Sequence, residues 1–314
     1  MSESRNGARK SKASRLRELI DAKEILVMPG VFDGFSNRLV EASGYSAAFI
    51  TGAGLAESRL GRPDVGIMGL EENLDAVRAL VSTTSLPLIA DGDTGYGNAI
   101  NVYYAVQAFE QTGLAGVMLE DQVWPKRCGH MAGKEIISAD EMVQKIRAAV
   151  DARRDPEFLI KARTDAAGPM GIDEAIRRAN MYAEAGADLL FADAVLSKDD
   201  IAKFTEGVRK PVSVNMGFGI RTRSTTPLLS PKQLQELGVA AVIWPRMLTA
   251  ACIMGMKKAL EAGAESVKNG NPADRPDLVV GFEELNTLMG FDEIKKLEER
   301  YLTETQYAAK YGGR

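Results

Sequence analysis

The sequence predicts an α/β protein, specifically a (β/α)8 barrel with extra helices at its C-terminal end. A helix that ends in glycine and leads into an apolar strand recurs at Gly44, Gly113, Gly186 and Gly238. The apolar segments lack polar alternation, which is typical of parallel strands buried on both faces. About eight such strands alternate with amphipathic helices, as this barrel requires. A doubly wound open sheet is the alternative, although it rarely needs so many uninterrupted repeats.

The predicted strands follow one another along most of the chain. Glycine just past a helix accepts the left-handed conformation, so the chain can turn back into the next strand. Two of the strands open at a proline instead, at Pro87 and Pro211. The eight predicted strands are residues 24–28, 47–50, 87–90, 116–119, 158–162, 189–191, 211–214 and 242–244.

Three regions are expected from the 314 residues. Residues 1–14 are polar and basic and predict a disordered tail. Residues 15–262 match the roughly 250 residues of one barrel. Residues 263–314 predict a helical extension, in which Phe282, Leu285, Leu288, Met289, Ile294, Leu297 and Tyr301 form an apolar stripe at helical spacing. Cys252 is interpreted as buried in a helix core.

Composition excludes several classes of protein. The net charge of -4 argues against general binding to nucleic acid or to an anionic membrane. No apolar stretch approaches the ~18 to 20 residues of a membrane span. The first residues lack the apolar core of a secretory signal. Two cysteines cannot build a disulfide framework, so the expected location is the reducing cytoplasm.

Polar residues or glycines follow nearly every predicted strand. Active sites of such barrels are assembled from the C-terminal strand ends. Any single carboxylate among these residues could instead cap a helix, but the whole set favours a site. The residues are Gly30, Thr51, Gly52, Asp91, Asp93, Glu120, Asp121, Arg163, Asp165, Asp193, Asn215 and Arg246.

The segment 126–130 concentrates reactive side chains in one short loop. It contains Cys128 and the single histidine of the chain, His130. Lys126 and Arg127 precede the cysteine, and neighbouring cations favour the reactive thiolate. With only one histidine, a histidine-rich zinc site and a triad that uses several histidines are excluded.

Five sequence blocks closely resemble the isocitrate lyase and phosphoenolpyruvate mutase superfamily. They are residues 61–64, 91–97, 120–122, 126–130 and 162–166, and the resemblance covers roughly residues 20 to 260. It implies a Mg²⁺ ion, with Mn²⁺ as a substitute, bound directly by Asp93. Asp91, Glu120 and Asp64 would act through bound water, which suits a hard ion that keeps several waters. Asp91 and Asp93 could alternatively be turn formers beside Gly92.

The same resemblance implies roles for residues that contact substrate. The loop Thr51, Gly52, Ala53 would bind a substrate carboxylate, and Arg163 would hold another, unless Arg163 only pairs with Asp165 or Glu120. Cys128 matches the acid–base cysteine on a closing loop. Further expected catalytic or substrate-binding residues are Lys126, Arg127, Gly129, His130, Asp91, Asp193 and Asn215.

The implied activity is that of a carbon–carbon lyase. A small 2-hydroxy di- or tricarboxylate, of the 2-methylisocitrate, dimethylmalate or citramalate type, would be cleaved to a 2-oxo acid and a carboxylate. A phosphonomutase of the carboxyvinyl-carboxyphosphonate type and an oxaloacetate hydrolase are the alternatives. The expected assembly is a homotetramer that exchanges its C-terminal helices, without nucleic-acid or membrane partners.

Several residues depart from the methylisocitrate lyase pattern and leave the substrate open. Phe49 replaces a tyrosine near the metal, so the base that takes the hydroxyl proton is unassigned. Asp193 replaces a glutamate, and Met216 and Gly217 replace a threonine and a glutamate. The longer segment 218–227 adds two cations, Arg221 and Arg223, which would either meet substrate or lie in a solvated loop.

Overall fold

Eight parallel strands form the barrel predicted from the sequence. The computed structural model describes residues 10–128, 133–217 and 226–312. The strands are β1 Leu26–Val31, β2 Ala48–Ile50, β3 Leu88–Asp91, β4 Gly116–Glu120, β5 Leu159–Thr164, β6 Leu189–Ala192, β7 Ser213–Asn215 and β8 Ala241–Trp244. Each pairs with its neighbours in the order β6-β5-β4-β3-β2-β1-β8-β7. A parallel bridge between Leu190 and Val212 joins the two outer strands, so the open-sheet alternative is excluded.

Helices and one π-helical turn connect the strands. The turn is Ala56–Leu60. The helices are α1 Lys12–Ile20, α2 Gly34–Ala42, α3 Gly52–Leu55, α4 Leu70–Ser82, α5 Ala99–Gln111, α6 Ala139–Ala152, α7 Ala167–Met170, α8 Ile172–Glu184, α9 Lys198–Gly207, α10 Pro231–Glu236, α11 Met247–Asn269, α12 Phe282–Leu288, α13 Phe291–Tyr301 and α14 Glu304–Tyr311.

The barrel has two apolar cores because successive strand residues face opposite sides. The outer core lies between the strands and the surrounding helices and includes Val77, Phe109 and Ile160. The inner core fills the barrel and includes Met28 and Phe191. The strands are therefore apolar on both faces, which is why their sequences lack alternation.

The N-terminal boundary predicted at residue 14 is wrong, because α1 already begins at Lys12. The side chain of Ser11 accepts a hydrogen bond from the Ser14 amide and caps this helix. Leu16 and Ile20 are buried and belong to the inner core, so the apolar face of α1 covers the interior of the barrel. Burial of this face explains why a basic segment is helical. Residues 1–9 lie outside the described residues.

The chain divides into two compact units, and the second begins at Ala251. This division precedes the predicted boundary at residue 262. Helix α11 runs from Met247 to Asn269 and so continues past residue 262. Thr249 is the only buried residue of that helix. Cys252 is exposed, so its predicted burial is wrong.

The second unit contains most of α11 and the three helices that follow. Helices α12, α13 and α14 all lie within residues 263–314, for which the sequence predicted a helical extension. A capping box at Thr303 and Gln306 begins α14. Four side chains of the predicted apolar stripe are exposed in this chain, and the other three are half-buried. The exposed ones are Phe282 (80%), Ile294, Leu297 and Tyr301 (68%). Among the described residues, no helix is long and apolar enough to cross a membrane.

Candidate active site

A cavity at the carboxyl ends of the barrel strands brings most of the predicted site residues together. Parallel strands that close into a barrel present all their carboxyl ends at one face. The cavity is lined by Phe49, Thr51, Ala53, Asp64, Asp91, Met118, Cys128, Arg163, Asp193, Asn215, Pro245 and Arg246. Residues from distant parts of the sequence therefore face one small space.

Three aspartates and one lysine form the first group at this cavity, which we call the aspartate cluster: Asp64, Asp91, Asp93 and Lys126. The Lys126 Nζ lies 2.5 Å from Asp64 Oδ1 and 2.9 Å from Asp93 Oδ1. Burial raises the pKa of Asp93 to about 6, and the nearby charges of Asp91 and Asp64 add to the effect of burial. Lys126 opposes this shift but does not cancel it. The cluster therefore holds more negative charge than its single cation compensates.

Asp93 adopts an uncommon backbone conformation. Its φ is 49°, in the left-handed region that residues other than glycine rarely adopt. Its amide donates to Asp91 Oδ1 at 3.1 Å, and the Asn73 side chain donates to the Asp91 carbonyl at 2.8 Å. A Cβ at Gly52 would lie 2.9 Å from Asp91 Oδ2, so only glycine lets this loop approach the aspartate. Such strain is frequent at functional sites.

A second group, the arginine cluster, comprises Arg163 with Glu120, Asp165 and Asp193, together with Lys134. Arg163 Nε donates to Asp165 Oδ2 and Nη2 to Asp165 Oδ1, both at 2.9 Å. Lys134 Nζ also donates to Asp165 Oδ1, at 2.9 Å. Burial alone would raise the pKa of Asp165, but Arg163 and Lys134 outweigh it and lower the pKa to about 2. This carboxylate is fully compensated.

Glu120 lies where the two clusters meet. Its Oε2 is 3.1 Å from Arg163 Nη1, an ion pair that follows from the direct register of Glu120 and Arg163 on β4 and β5. Its other oxygen, Oε1, is buried without a hydrogen-bond partner among the described residues. Burial raises the pKa of Glu120 well above its usual value, although Arg163 and Lys126 act against this shift.

Asp121 holds the end of the strand that carries the arginine cluster, a role that the sequence did not reveal. Its carboxylate accepts hydrogen bonds from the Thr164 hydroxyl at 2.8 Å and from the Asp165 amide at 2.8 Å. The Tyr182 hydroxyl and the Arg178 guanidinium donate to the same carboxylate, at 2.7 and 3.2 Å. Asp121 therefore fixes the end of β5, where Arg163 and Asp165 lie.

The reactive loop begins beside the aspartate cluster. The Cys128 amide donates to the Asp64 carbonyl at 3.0 Å, and the cysteine is partly exposed at the cavity. Gln122 holds the preceding turn through its side chain, which donates to the Arg127 carbonyl and accepts from the Arg127 amide. Arg127 is exposed, whereas Lys126 is buried against the aspartates. Gly129 and His130 lie outside the described residues, as do Arg221 and Arg223.

The remaining predicted contacts surround the cavity. Thr51 is buried, and its amide donates to the Val31 carbonyl at 3.1 Å, which leaves Gly52 and Ala53 as the predicted amide donors. Asp193 Oδ2 lies 3.2 Å from Arg163 Nη2. The Oδ1 atom of Asn215 is buried without a hydrogen-bond partner in the described part of the chain. Both side chains line the cavity.

The donor set of the aspartate cluster fits a hard divalent cation. Among the described residues, no three His, Cys, Asp or Glu side chains are grouped as ready metal ligands. Mg²⁺ does not require such a group, because it commonly binds through one or two carboxylates and keeps its other waters. The raised pKa of Asp93 and the unpartnered Oε1 of Glu120 are consistent with carboxylates that lack a cation.

The sequence missed two cations that belong to this region. Lys134 was not predicted, although it pairs with Asp165 in the arginine cluster. Lys161 lies inside the barrel and is fully buried, and burial lowers its pKa to about 7. A signal for Lys161 was present, because a lysine within the apolar run 158–162 is unusual for a buried strand.

Comparison with known proteins places these observations in one family. The family model described as phosphoenolpyruvate phosphomutase matches residues 16–264, which is most of the chain. The chain is 40% identical over 291 residues to 2,3-dimethylmalate lyase of Eubacterium barkeri, covering 93% of this chain and 98% of that protein.

Two solved structures are similar over nearly their whole length. One is oxaloacetate acetylhydrolase in complex with the inhibitor 3,3-difluorooxalacetate, with a TM-score of 0.84 and 31% identity over 92% of this chain and 96% of that one. The other is phosphonopyruvate hydrolase with oxalate and Mg²⁺, with a TM-score of 0.82 and 28% identity over 94% of this chain and 100% of that one.

Proposed function

The chain belongs to the phosphoenolpyruvate mutase/isocitrate lyase superfamily, and we propose that it is a Mg²⁺-dependent lyase that cleaves a carbon–carbon bond of a small 2-hydroxy di- or tricarboxylate. The reaction is a retro-aldol cleavage to a 2-oxo acid and a carboxylate. One observation carries the proposal: Cys128, Arg163 and Asp91 line the same cavity, at an aspartate cluster whose single ammonium group does not balance its carboxylates.

Asp93 is the proposed direct ligand of the metal ion, with Asp91, Glu120 and Asp64 holding its bound waters. When bound there, Mg²⁺ supplies positive charge to the 2-hydroxyl and its neighbouring carboxylate. A divalent ion also compensates the excess negative charge of the aspartate cluster. The similarity to an Mg²⁺-containing hydrolase supports this choice of ion.

The residues of the chain itself bind and orient the substrate. The amides of Gly52 and Ala53 and the Thr51 hydroxyl bind one carboxylate. Arg163 binds another oxygen of the substrate, and the double hydrogen bond to Asp165 fixes the plane of its guanidinium. Asp193 and Asn215, on the neighbouring strands, contact the rest of the molecule. A rigidly held cation stabilises negative charge that develops during cleavage.

Cys128 is the proposed acid that protonates the carbanion released by cleavage. The hydrogen bond from its amide to Asp64 places it on the cavity wall beside the aspartate cluster. Lys126, Arg127, Gly129 and His130 complete the loop as supporting groups. Phe49 lines the cavity but has no hydroxyl, so it cannot take the proton of the substrate hydroxyl.

The assembly proposed from the resemblance is a homotetramer with exchanged C-terminal helices. The exposed apolar residues of the second unit support this, because such side chains are normally covered by a partner. A cytoplasmic location agrees with two cysteines that form no disulfide. Light scattering coupled to size-exclusion chromatography tests the assembly, and a monomer would contradict it.

Substrate is identified by Mg²⁺-dependent release of a 2-oxo acid from a panel of acids. The panel comprises 2-methylisocitrate, isocitrate, 2,3-dimethylmalate, citramalate and oxaloacetate, with oxalate and acetate measured for the last. Cys128→Ser should retain Mg²⁺ and ligand binding while turnover falls by orders of magnitude, because a hydroxyl is a far weaker acid than a thiol. Cys252→Ser is the matched control and should turn over normally.

Each outcome of the panel separates the alternatives. Cleavage of oxaloacetate alone would support the hydrolase, to which the fold is also similar. No turnover of any acid, together with a change at a P–C bond seen by phosphorus NMR, would replace the lyase by a phosphonomutase. Normal turnover by Cys128→Ser would remove this cysteine from the mechanism.

A further inference from the structure

Lys161 is a buried cation that the proposed mechanism does not use. It is fully buried on β5, and its Nζ has no hydrogen-bond partner among the described residues. Arg163 follows two residues later on the same strand, so both side chains face the barrel interior. Lys161 therefore lies one layer below the cavity that Arg163 lines.

Two aromatic rings are the contacts described for this ammonium group. Its Nζ is 4.6 Å from the ring centre of Phe191 and 5.1 Å from that of Phe49. Both distances are typical of cation–π contacts. Phe49 lines the cavity, so its ring separates the lysine from whatever the cavity binds. Phe191 also lies 5.6 Å from the Arg163 guanidinium carbon, which links the two cations through one ring.

The other cations at the cavity are already paired with carboxylates of the protein. Arg163 contacts Glu120, Asp165 and Asp193. Lys126 contacts Asp64 and Asp93, and Arg246 contacts Glu57. In the described part of the chain, Lys161 has neither a hydrogen bond nor an ion pair. Asp91 and Asp193 act on its charge from a distance, without a described contact.

A buried ammonium without a counterion destabilises a folded protein, because water no longer solvates it. An apolar side chain of similar length would fit the same place between two rings. Asp91 and Asp193 favour the protonated form of Lys161, but burial outweighs them and lowers its pKa. A further negative charge that comes near would therefore stabilise the ammonium group. The nearest space for one is the cavity on the far side of Phe49.

We propose that Lys161 is a positioning residue that strengthens the binding of a doubly charged small carboxylate in the cavity and holds the ring of Phe49 as its floor. This rests on the proposed function, because it assumes that the cavity binds such an anion. Lys161 touches no reacting atom. It acts through Phe49 and through its charge across one layer of side chains.

The test compares two anions of different charge on one variant. Oxalate carries two charges and pyruvate carries one, and each is titrated calorimetrically at saturating Mg²⁺. The titrations are made below the Lys161 pKa of about 7, so that the amine carries its proton. Lys161→Met should weaken oxalate binding about tenfold and pyruvate binding only about threefold, because the Coulomb energy scales with ligand charge.

Lys161→Met should weaken anion binding but make the protein more stable, and thermal unfolding measures the second effect. Lys161→Met should raise the melting temperature, because it removes a buried charge for which no ion pair is described. A variant that is more stable yet binds oxalate more weakly cannot be explained by damage to the fold. With a substrate from the panel, KM should rise while kcat stays within about twofold, the pattern of lost uniform binding.

Unchanged oxalate affinity in Lys161→Met, or equal losses for oxalate and pyruvate, would overturn the proposal. If Lys161→Met does not fold, Lys161→Gln is measured in the same way, with the same criteria. If the unaltered protein binds neither anion in the presence of Mg²⁺, the proposed function itself fails. These two failures are therefore distinguishable.

Discussion

The aspartate cluster and the arginine cluster lie at one cavity, but their charges are balanced differently. In the arginine cluster, two cations contact Asp165 and lower its pKa to about 2. In the aspartate cluster, the described ion pairs of Asp64 and Asp93 are both made by Lys126, and the pKa of Asp93 rises to about 6. Both carboxylates are fully buried, so burial does not explain the difference. The number of cations that contact each carboxylate explains the difference between the two pKa values.

This contrast separates two roles for buried carboxylates. A carboxylate whose charge is compensated by the protein stabilises the structure and orients its partner. A carboxylate without enough positive charge around it has the capacity to bind a further cation. We therefore propose a scaffolding role for Asp165 and metal binding for Asp93, and the variants below test that division.

The largest effect is expected for Asp93→Asn. The proposed direct metal ligand loses its charge, so Mg²⁺ binding measured by calorimetry should become undetectable and turnover should fall by orders of magnitude. Thermal stability should be unchanged or higher, because the variant removes an undercompensated buried charge. Normal Mg²⁺ affinity in this variant would remove Asp93 from the metal site.

Asp165→Asn should show the opposite pattern to Asp93→Asn, with a loss of stability and little change in Mg²⁺ binding. Removing one partner leaves the buried charges of Arg163 and Lys134 less compensated, which should cost roughly 3 kcal/mol in the free energy of unfolding. Denaturant titration measures this loss. Mg²⁺ affinity should remain close to that of the unaltered protein. If Asp165→Asn were harmless to stability but abolished Mg²⁺ binding, the two clusters would have been assigned the wrong way round.

Acid should remove the contribution of Asp165 to stability. Its folded pKa of about 2 lies below the value of about 3.9 for an unfolded aspartate, so its contribution is present above about pH 4 and is lost as pH falls towards 2. The loss should be about 2 kcal/mol and should be absent in Asp165→Asn.

Asp93 should show the opposite dependence on pH. Its folded pKa is raised to about 6, so its contribution to stability is present below about pH 4 and is lost as pH rises through 6. Denaturant titrations across this range, with Asp93→Asn as the matched variant, measure it. Parallel pH profiles for the two aspartates would contradict the comparison.

The smallest effect is expected for Lys126→Gln. This variant removes the ammonium group that contacts Asp64 and Asp93, so Mg²⁺ should bind about tenfold more tightly. Turnover should nevertheless fall if Lys126 also supports the reactive loop. Weaker Mg²⁺ binding would mean that Lys126 orients the aspartates for the metal.

Lys145→Gln is the matched control for that measurement. Lys145 is also buried, and its Nζ donates to the Thr94 carbonyl at 3.1 Å, but no ion pair is described between it and a carboxylate of the aspartate cluster. Its replacement should leave the Mg²⁺ affinity unchanged. A tightening as large as that of Lys126→Gln would show that the effect is not specific to the ammonium at Asp64 and Asp93.

Much of the fold and many of the site positions follow from local features of the sequence. Eight apolar segments between amphipathic helices define the barrel, because a strand buried on both faces must be apolar throughout. Asp91, Glu120 and Asn215 end their strands, so the barrel necessarily gathers them at one face. The start of α1 was missed because burial of Leu16 and Ile20 depends on the barrel that they cover.

Only the tertiary structure decided which cation meets which carboxylate. Arg163 contacts Glu120 because β4 and β5 pair in one particular register, and Lys134 reaches Asp165 across 31 residues of chain. A sequence lists charges without the distances between them, whereas ion pairing and pKa depend on distances of a few ångströms and on exclusion of water. The sequence thus determined the fold and the inventory of reactive groups. Packing determined that Asp165 is compensated, that Asp93 is not, and that Lys161 is buried between two rings.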